Sequence, residues 1–368
     1  MKVGILTFHR AENFGAVLQA YGLQQFLCNN GCEVEIIDYR NKVMESMYHI
    51  YNPYILITRK NIFKTLAQYI ARFKHIEERK ICKMKYEDFR EQFLLVTNNC
   101  YKNLDDAAKR FDCIIAGSDQ IWNLHLTGGL DTNYFLGYNK TVNVRKVSYA
   151  ASSENDPKNL FARHRHRLND LLDDFDFISV REEFLKDELQ NYTSNKIEVC
   201  LDPTFLLCAN DYKQLTKRQI TEKYVLVYHM TPIPEAVTMA EQLANKAGWE
   251  IIEIHMGYGF NKSDRRHKTN LGPLEILSYI VHAESVFTSS FHGLALSIIF
   301  KKDVWVIDKG NNLRQRYLLH SLKLDNRLLA TSQDFKEEKI DYNAVTEILN
   351  MQIEKSKNFI LNAVHENE

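Results

Sequence analysis

The chain has 368 residues, 45% of them hydrophobic and 26% charged, with 47 basic and 47 acidic side chains. That length exceeds one ordinary core and suits two domains of moderate size in a globular protein. A formal charge of zero argues against a general nucleic-acid binder, which carries a strongly basic balance.

The seven cysteines are odd in number, lie mostly in apolar runs and form no CxxC pair. Buried free thiols in a reducing compartment are expected, not a disulfide frame or a metal site. The opening "MKVGILTFHR" is too short in its apolar run for a signal segment, and no 18 apolar residues run together. A cytoplasmic protein without a transmembrane helix is therefore expected.

In chain order, "KVGILTF" (2–8) reads as a strand and "HRAENFGA" as a loop. Phe14, Val17, Leu18 and Tyr21 recur at helical spacing, and "EVEIIDYR" (33–40) is the next strand. Strand, loop, helix, strand opens a parallel α/β sheet. Gly15 suits a tight strand-to-helix turn, but GxGxxG is absent, so a dinucleotide fingerprint is not supported. Residues 59–90 carry ten Lys/Arg against four acids, with Ile62, Leu66, Tyr69, Ile70 and Phe73 on one helical face. This segment reads either as a surface helix with a solvated basic side, or as a patch facing anionic lipid or a lipid-linked phosphate.

Four apolar runs then end in polar residues. "FDCIIAGSDQIWN" (111–123) ends at Ser118/Asp119, "KVSYAASS" (146–153) at Tyr149/Ser152, "FDFISVREE" (175–183) at Arg181/Glu182, and "IEVCLDPTFLL" (197–207) at Asp202. Parallel sheets gather ligands where strands end and loops begin, so the four predict one shared crevice. A second alternation follows. Strands are expected at 223–230, 250–256, 285–288 and 302–307, with helices near 234–247 and 273–281 between them. A boundary near 205–222 gives an N-terminal α/β domain (1–210), a C-terminal one (211–335) and a helical segment (336–368) that packs on either.

"TSSFHGLALSIIF" (288–300) places Thr288, Ser289 and Ser290 ahead of an apolar helical run, with Phe291, His292 and Gly293 in its first turn. Hydroxyls cap unpaired helix-start amides, and a helix start favours an anion. A histidine there asks for chemistry, because an imidazole can give or take a proton beside a bound anion. The bland alternative is a histidine that only hydrogen-bonds a neighbouring loop. Arg181 either clamps an anion or pairs with Glu182, Glu183 or an acid of "DLLDDFD" (170–176). In "SDQIWN", Asp119 offers a base, Gln120 and Asn123 amide donors, and Trp122 a flat face for a sugar. Equally, Trp122 reads as core and Asp119 as a helix cap. Asn13, Phe14, Ser118 and Tyr149 are placed to line the same cleft. Arg314 and Arg316 either meet an anion from the His292 side or are ordinary surface charges. "RHRHR" (163–167) lacks a partner at metal-ligand spacing and reads as a solvated face, so no metal site is assigned. His9 stands at a strand end without an identifiable partner.

Taken in order, "GILTFHRAENFGAVLQAYGLQ", "AGSDQIWN", "SYAAS", "SVRE", "LDPT" and "TSSFHG" resemble the polysaccharide pyruvyl transferases, from residue 3 to about 330. The resemblance implies two Rossmann-like domains with parallel sheets facing a cleft, similar to GT-B glycosyltransferases. It also implies transfer of the enolpyruvyl group of phosphoenolpyruvate to a sugar, usually as a cyclic ketal on two hydroxyls, with phosphate released. The family's functional histidine and arginine correspond to His292 and Arg181. The donor site then draws on Arg181, residues 288–293, Arg314 and Arg316. The acceptor side draws on Asn13, Phe14, Ser118, Asp119, Gln120, Trp122, Asn123 and Tyr149. No cofactor is implied beyond phosphoenolpyruvate as substrate, and the acceptor is a sugar or lipid-linked oligosaccharide of a surface or capsular polysaccharide. Two departures stand out: some members carry an arginine where this chain has Ser290, and many an aspartate where it has Ser289. Two other functions fit the same architecture, a glycosyltransferase using a nucleotide-sugar donor and a non-catalytic sugar- or anion-binding protein.

Overall fold

The computed structural model describes residues 1–48, 75–138, 143–154, 156–230, 233–255, 266–308, 310 and 312–365. Its architecture is two parallel sheets, each with helices on both faces, and each alternation of apolar runs and amphipathic segments supplies one βα step.

The first sheet contains β1 (Lys2–Leu6), β2 (Glu33–Tyr39), β3 (Val96–Tyr101), β4 (Cys113–Asp119), β5 (Arg145–Ala151), β6 (Phe177–Val180) and β7 (Ile197–Val199). Its spatial order is β3-β2-β1-β4-β5-β6-β7, all parallel. The second sheet contains β8 (Tyr224–His229), β9 (Glu250–His255), β10 (His267–Lys268), β11 (Ser285–Thr288), β12 (Asp303–Ile307) and β13 (Leu328–Leu329). Its order, β10-β9-β8-β11-β12-β13, repeats the same winding. Each sheet reverses direction once, between β1 and β4 and between β8 and β11. A crevice opens at such a reversal, outside the carboxyl ends of the strands.

Strand periodicity divides the core. Val3, Ile5, Cys113 and Ile115 point to an inner cluster that also holds Leu226, Tyr228, Val286 and Val304 of the second sheet. Leu6, Ile114 and Ala116 point to the outer face of the first sheet, and Val225, Val227 and Phe287 to the outer face of the second. The inner core is thus one continuous apolar body shared by both domains. The final helix, Tyr342–His365, spans them. Near its start the Tyr342 hydroxyl donates to the Lys302 carbonyl, 2.5 Å. Near its end the Ser356 hydroxyl accepts from the Leu201 amide, 2.9 Å, and the Ala363 carbonyl accepts from Arg145, 3.0 Å.

The helix Ile76–Phe93 covers the C-terminal part of the basic segment; the apolar positions Ile62, Leu66, Tyr69, Ile70 and Phe73 lie outside the described residues. Among the described residues no helix is long and apolar enough to cross a membrane.

Candidate active site

The two sheet reversals face each other. After β1 comes the helix Phe14–Asn29, whose start is capped by Asn13: its side-chain oxygen accepts from the Gly15 and Ala16 amides at 2.9 and 3.3 Å. After β11 comes the helix Phe291–Ile299, capped by Ser290, whose hydroxyl accepts from the Gly293 amide at 3.2 Å. Thr288 braces this turn by accepting from the Ser290 amide, 3.0 Å. Gly293 allows the close fold-back, since a β-carbon there would lie 2.6 Å from the Thr288 hydroxyl. The capping hydroxyls do what the sequence suggested, and His292 enters the first turn facing the other domain.

There it meets Asp202. His292 Nε2 lies 3.4 Å from Asp202 Oδ2, both groups buried, in an approach too poorly aligned for a hydrogen bond. Asp202 is a hub. Its Oδ2 also accepts from Arg181 Nη1 at 2.8 Å and from the Ser118 hydroxyl at 3.1 Å. Its Oδ1 takes the Thr204 amide and hydroxyl, at 3.0 and 2.8 Å. Burial by itself would raise the pKa of this carboxyl, but the charges of His292 and Arg181 and the Thr204 amide hold it well below the usual carboxylate range. Arg181 also donates from Nε to Glu182 Oε1, 2.9 Å, which in turn accepts from the Ser152 hydroxyl at 2.9 Å. Its guanidinium lies over the Phe291 ring, 4.3 Å from the centroid. Burial would lower the Arg181 pKa, yet Glu182 and Asp202 keep it raised.

Ser118, Ser152, Arg181, Glu182 and Asp202, the polar ends of four strands, thus form one buried network. Arg181 serves both readings at once: it pairs with Glu182 and Asp202, and it keeps one nitrogen for something else. Among the described residues, Arg181 Nη2, Glu182 Oε2, His292 Nε2 and Gln315 Oε1 are buried without a hydrogen-bond partner. Leaving one such group unpaired costs about 1–3 kcal/mol, so four around one crevice mark a place built to meet a polar ligand. Gln315 belongs to it because its amide nitrogen donates to the Ser289 carbonyl, 2.8 Å. The Ser289 hydroxyl accepts from the Met230 amide, 3.2 Å.

The two arginines after β12 part company. Burial lowers the Arg314 pKa and Arg181 adds to the effect, while Glu182, Asp119 and Asp202 oppose it, so Arg314 shares the field of the crevice. Arg316 is exposed and paired with Asp308. Asp308 holds the Arg316 guanidinium at the surface.

Several predicted acceptor residues are placed elsewhere. Trp122 is 0% exposed, stacked on Phe135 at 4.9 Å, with its indole N–H donated to the Tyr134 carbonyl at 2.9 Å. It offers no face to a sugar. Tyr149 is equally buried and donates to the Leu201 carbonyl, 3.1 Å. Phe14 packs edge-to-face on Tyr228 of the other domain, centroids 5.7 Å apart, and the Asn13 oxygen is spent on capping. Asn123 caps the helix Leu124–Thr127 and donates to Gln120 Oε1, 2.7 Å. Asp119 remains half-buried at the end of β4, with φ at +66°. A non-glycine residue in that region is uncommon and gathers at functional sites.

Sequence reasoning missed three things. Asp202, a strand-end and turn residue by sequence, is the hub; its Asp-Pro neighbourhood alone gives no hint of Ser118 and Arg181 arriving from two other strands and His292 from a helix of the other domain. His9 does have a partner, the buried Asp38, 3.3 Å from its Nε2 to Oδ1. His9 also lines a cavity with Arg10, Tyr39, Arg40, Lys83 and Arg90. Thirdly, Glu253, His255 and His267 meet at the ends of β9 and β10; the Glu-x-His spacing on a strand was the available signal.

The family profile described as "Polysaccharide pyruvyl transferase" matches residues 13–311. No curated protein matches the sequence significantly. Among solved structures, UDP-GlcNAc 2-epimerase from Neisseria meningitidis bound to UDP-GlcNAc is similar at 12% identity, with a TM-score of 0.50 and both chains covered in full. A UDP-N-acetylglucosamine 2-epimerase assigned in Listeria monocytogenes matches at 11% identity and a TM-score of 0.50, covering 100% of this chain and 97% of that one. At such identities the likeness concerns the fold, two facing parallel-sheet α/β domains of the GT-B kind. With 299 of 368 residues inside the family profile, the chain belongs to the polysaccharide pyruvyl transferase family.

Proposed function

We propose that this protein transfers the enolpyruvyl group of phosphoenolpyruvate onto two hydroxyls of a sugar, forming a pyruvate ketal and releasing phosphate, in the assembly of a surface or capsular polysaccharide. The observation that carries this reading is the convergence of His292, Arg181 and Asp202 at the facing sheet reversals, within a chain of this family.

The donor brings a phosphate and a carboxylate. Arg181 Nη2, Arg314 and the first-turn amides of the Phe291 helix supply cations and N–H groups for them. Arg314 takes the part that an arginine at Ser290 plays in other members. In the reaction a proton adds to the donor's methylene carbon and the first sugar hydroxyl adds to its central carbon, losing its own proton. The second hydroxyl then displaces phosphate from that carbon and loses a proton in turn. His292 Nε2 is the group that moves these protons, and the Asp202 carboxylate beside it stabilises the imidazolium. Asp119, with Ser118 and Gln120 beside it, faces the acceptor. A sugar on a lipid-linked oligosaccharide is the acceptor this reading assigns.

Incubating the protein separately with phosphoenolpyruvate and with nucleotide sugars, each with lipid-linked oligosaccharide acceptors, separates the readings. Phosphate release with the first donor is expected. Nucleoside diphosphate release with the second would make it a glycosyltransferase, and donor binding without turnover on any acceptor a binding protein.

A further inference from the structure

In the second domain, on β9 and β10 at one edge of its sheet, three side chains with metal-binding donors are brought to one point by strand pairing. Glu253 and His255 are two apart on β9, so they project from the same face. His267 on the neighbouring edge strand β10 is the direct register partner of Glu253, which puts it on that face too. Sequence separation hides this, because the third residue arrives from the next strand.

The donor atoms form a compact triangle. His255 Nε2 is 2.8 Å from His267 Nδ1 and 3.7 Å from Glu253 Oε2, and His267 Nδ1 is 3.9 Å from the same oxygen. Around a tetrahedral zinc ion, with metal–ligand distances of about 2.0–2.2 Å, donors stand roughly 3.3–3.6 Å apart, a spacing these three distances bracket. Small ring movements complete the fit. The other oxygen of Glu253 is held by Arg266, which also donates from Nη2 to Glu241 Oε1 at 2.8 Å. A hydrogen-bonded carboxylate of this kind is how metal ligands are oriented. Glu253 and His255 are buried and His267 half-buried.

We propose that Glu253 Oε2, His255 Nε2 and His267 Nδ1 bind a divalent first-row transition-metal ion of the zinc type, and that the ion ties the two-residue strand β10 to β9. Two imidazoles and one carboxylate suit such borderline ions and do not suit magnesium or calcium, which take oxygen ligands.

The test uses the untagged full chain, stripped with a chelator, dialysed and titrated with zinc chloride by calorimetry. One saturable equivalent is expected, with a melting temperature that rises with zinc concentration. His267→Ala and Glu253→Gln should each weaken zinc by at least about tenfold, the scale of losing a group that holds the metal, and abolish the thermal shift. A measurement without any variant accompanies them: zinc should protect His267, and leave His164 and His166 open, when the wild-type chain is carbethoxylated and mapped by peptide mass spectrometry. Absence of saturable binding, equal binding by His267→Ala, equal binding of magnesium, or protection confined to His164 and His166 would overturn the proposal.

Discussion

The α-carbon of Gly15 lies against the imidazole of His292, so closely that a β-carbon at position 15 would fall 1.9 Å from Nδ1 and 2.2 Å from Cγ. The first turn of one domain thereby fixes the ring carried by the first turn of the other. Gly15→Ala should push the ring out of line with Asp202. Turnover, followed by phosphate release, should fall about 100-fold, as a misplacement near 1 Å does, with donor affinity much less changed. Wild-type turnover in this variant would show that the contact does not position His292.

The proton-transfer role proposed for His292 has a distinct signature. His292→Ala should lower phosphate release by roughly 10²–10⁴-fold while donor binding, measured by calorimetry, weakens by less than about tenfold. A loss of donor affinity equal to the loss of turnover would make His292 a binding residue instead.

Arg181→Lys exchanges a fork for a point charge. Because Arg181 Nε and Nη1 are engaged with Glu182 and Asp202, the lysine cannot keep both carboxylates and also meet a ligand. Weaker phosphoenolpyruvate binding and a lower melting temperature are expected together. An unchanged donor affinity alongside the lower melting temperature would reduce Arg181 to its ion pairs.

Acid should unfasten the hub. The Asp202 pKa is depressed in the folded protein, so the stability it contributes is present above its unfolded value, about 3.9, and is lost as pH falls below that toward the folded value. Asp202→Asn should cost roughly 3–5 kcal/mol near neutral pH, since it removes the carboxylate that holds Arg181 Nη1 and leaves that buried guanidinium with Glu182 alone. Chemical denaturation at stepped pH checks this: the wild type should lose stability below about pH 4 more steeply than the variant.

Trp122→Phe tests the correction made above. Losing the indole hydrogen bond to Tyr134 should cost about 1–2 kcal/mol, seen by denaturation, and the KM for the acceptor should stay the same. A raised KM would return Trp122 to the acceptor site.

Much of the fold was legible because long strands buried on both faces are written as continuous apolar runs. The strand at 285–288 and the helix at 234–247 fall on the observed Ser285–Thr288 and Pro234–Ala247. The strands β3, β10 and β13 escaped: "VTNNCY" is polar, and the other two are two-residue edge strands whose pairing depends on neighbours. In the site, residues whose role depends on chain-local chemistry were readable, such as Ser290 as a cap and His292 in the first turn. Residues whose role depends on direction were not. The left-handed turn at Asp119 sends Trp122 inward, and no pattern in "SDQIWN" announces that turn. Nor does spacing reveal that Arg314 feels the charges of Arg181, Glu182 and Asp202 while Arg316, two positions on, is taken by Asp308.

The shared inner core has a consequence for how the chain can be divided. Two sheets wound in the same order look like interchangeable modules, yet Leu226, Tyr228 and Val286 are packed into the same apolar body as Val3, Ile5 and Phe14. Cutting between them would expose on each half a surface that nothing else in that half can cover. The His292–Asp202 crevice sits on this seam, so neither half on its own holds the two residues together.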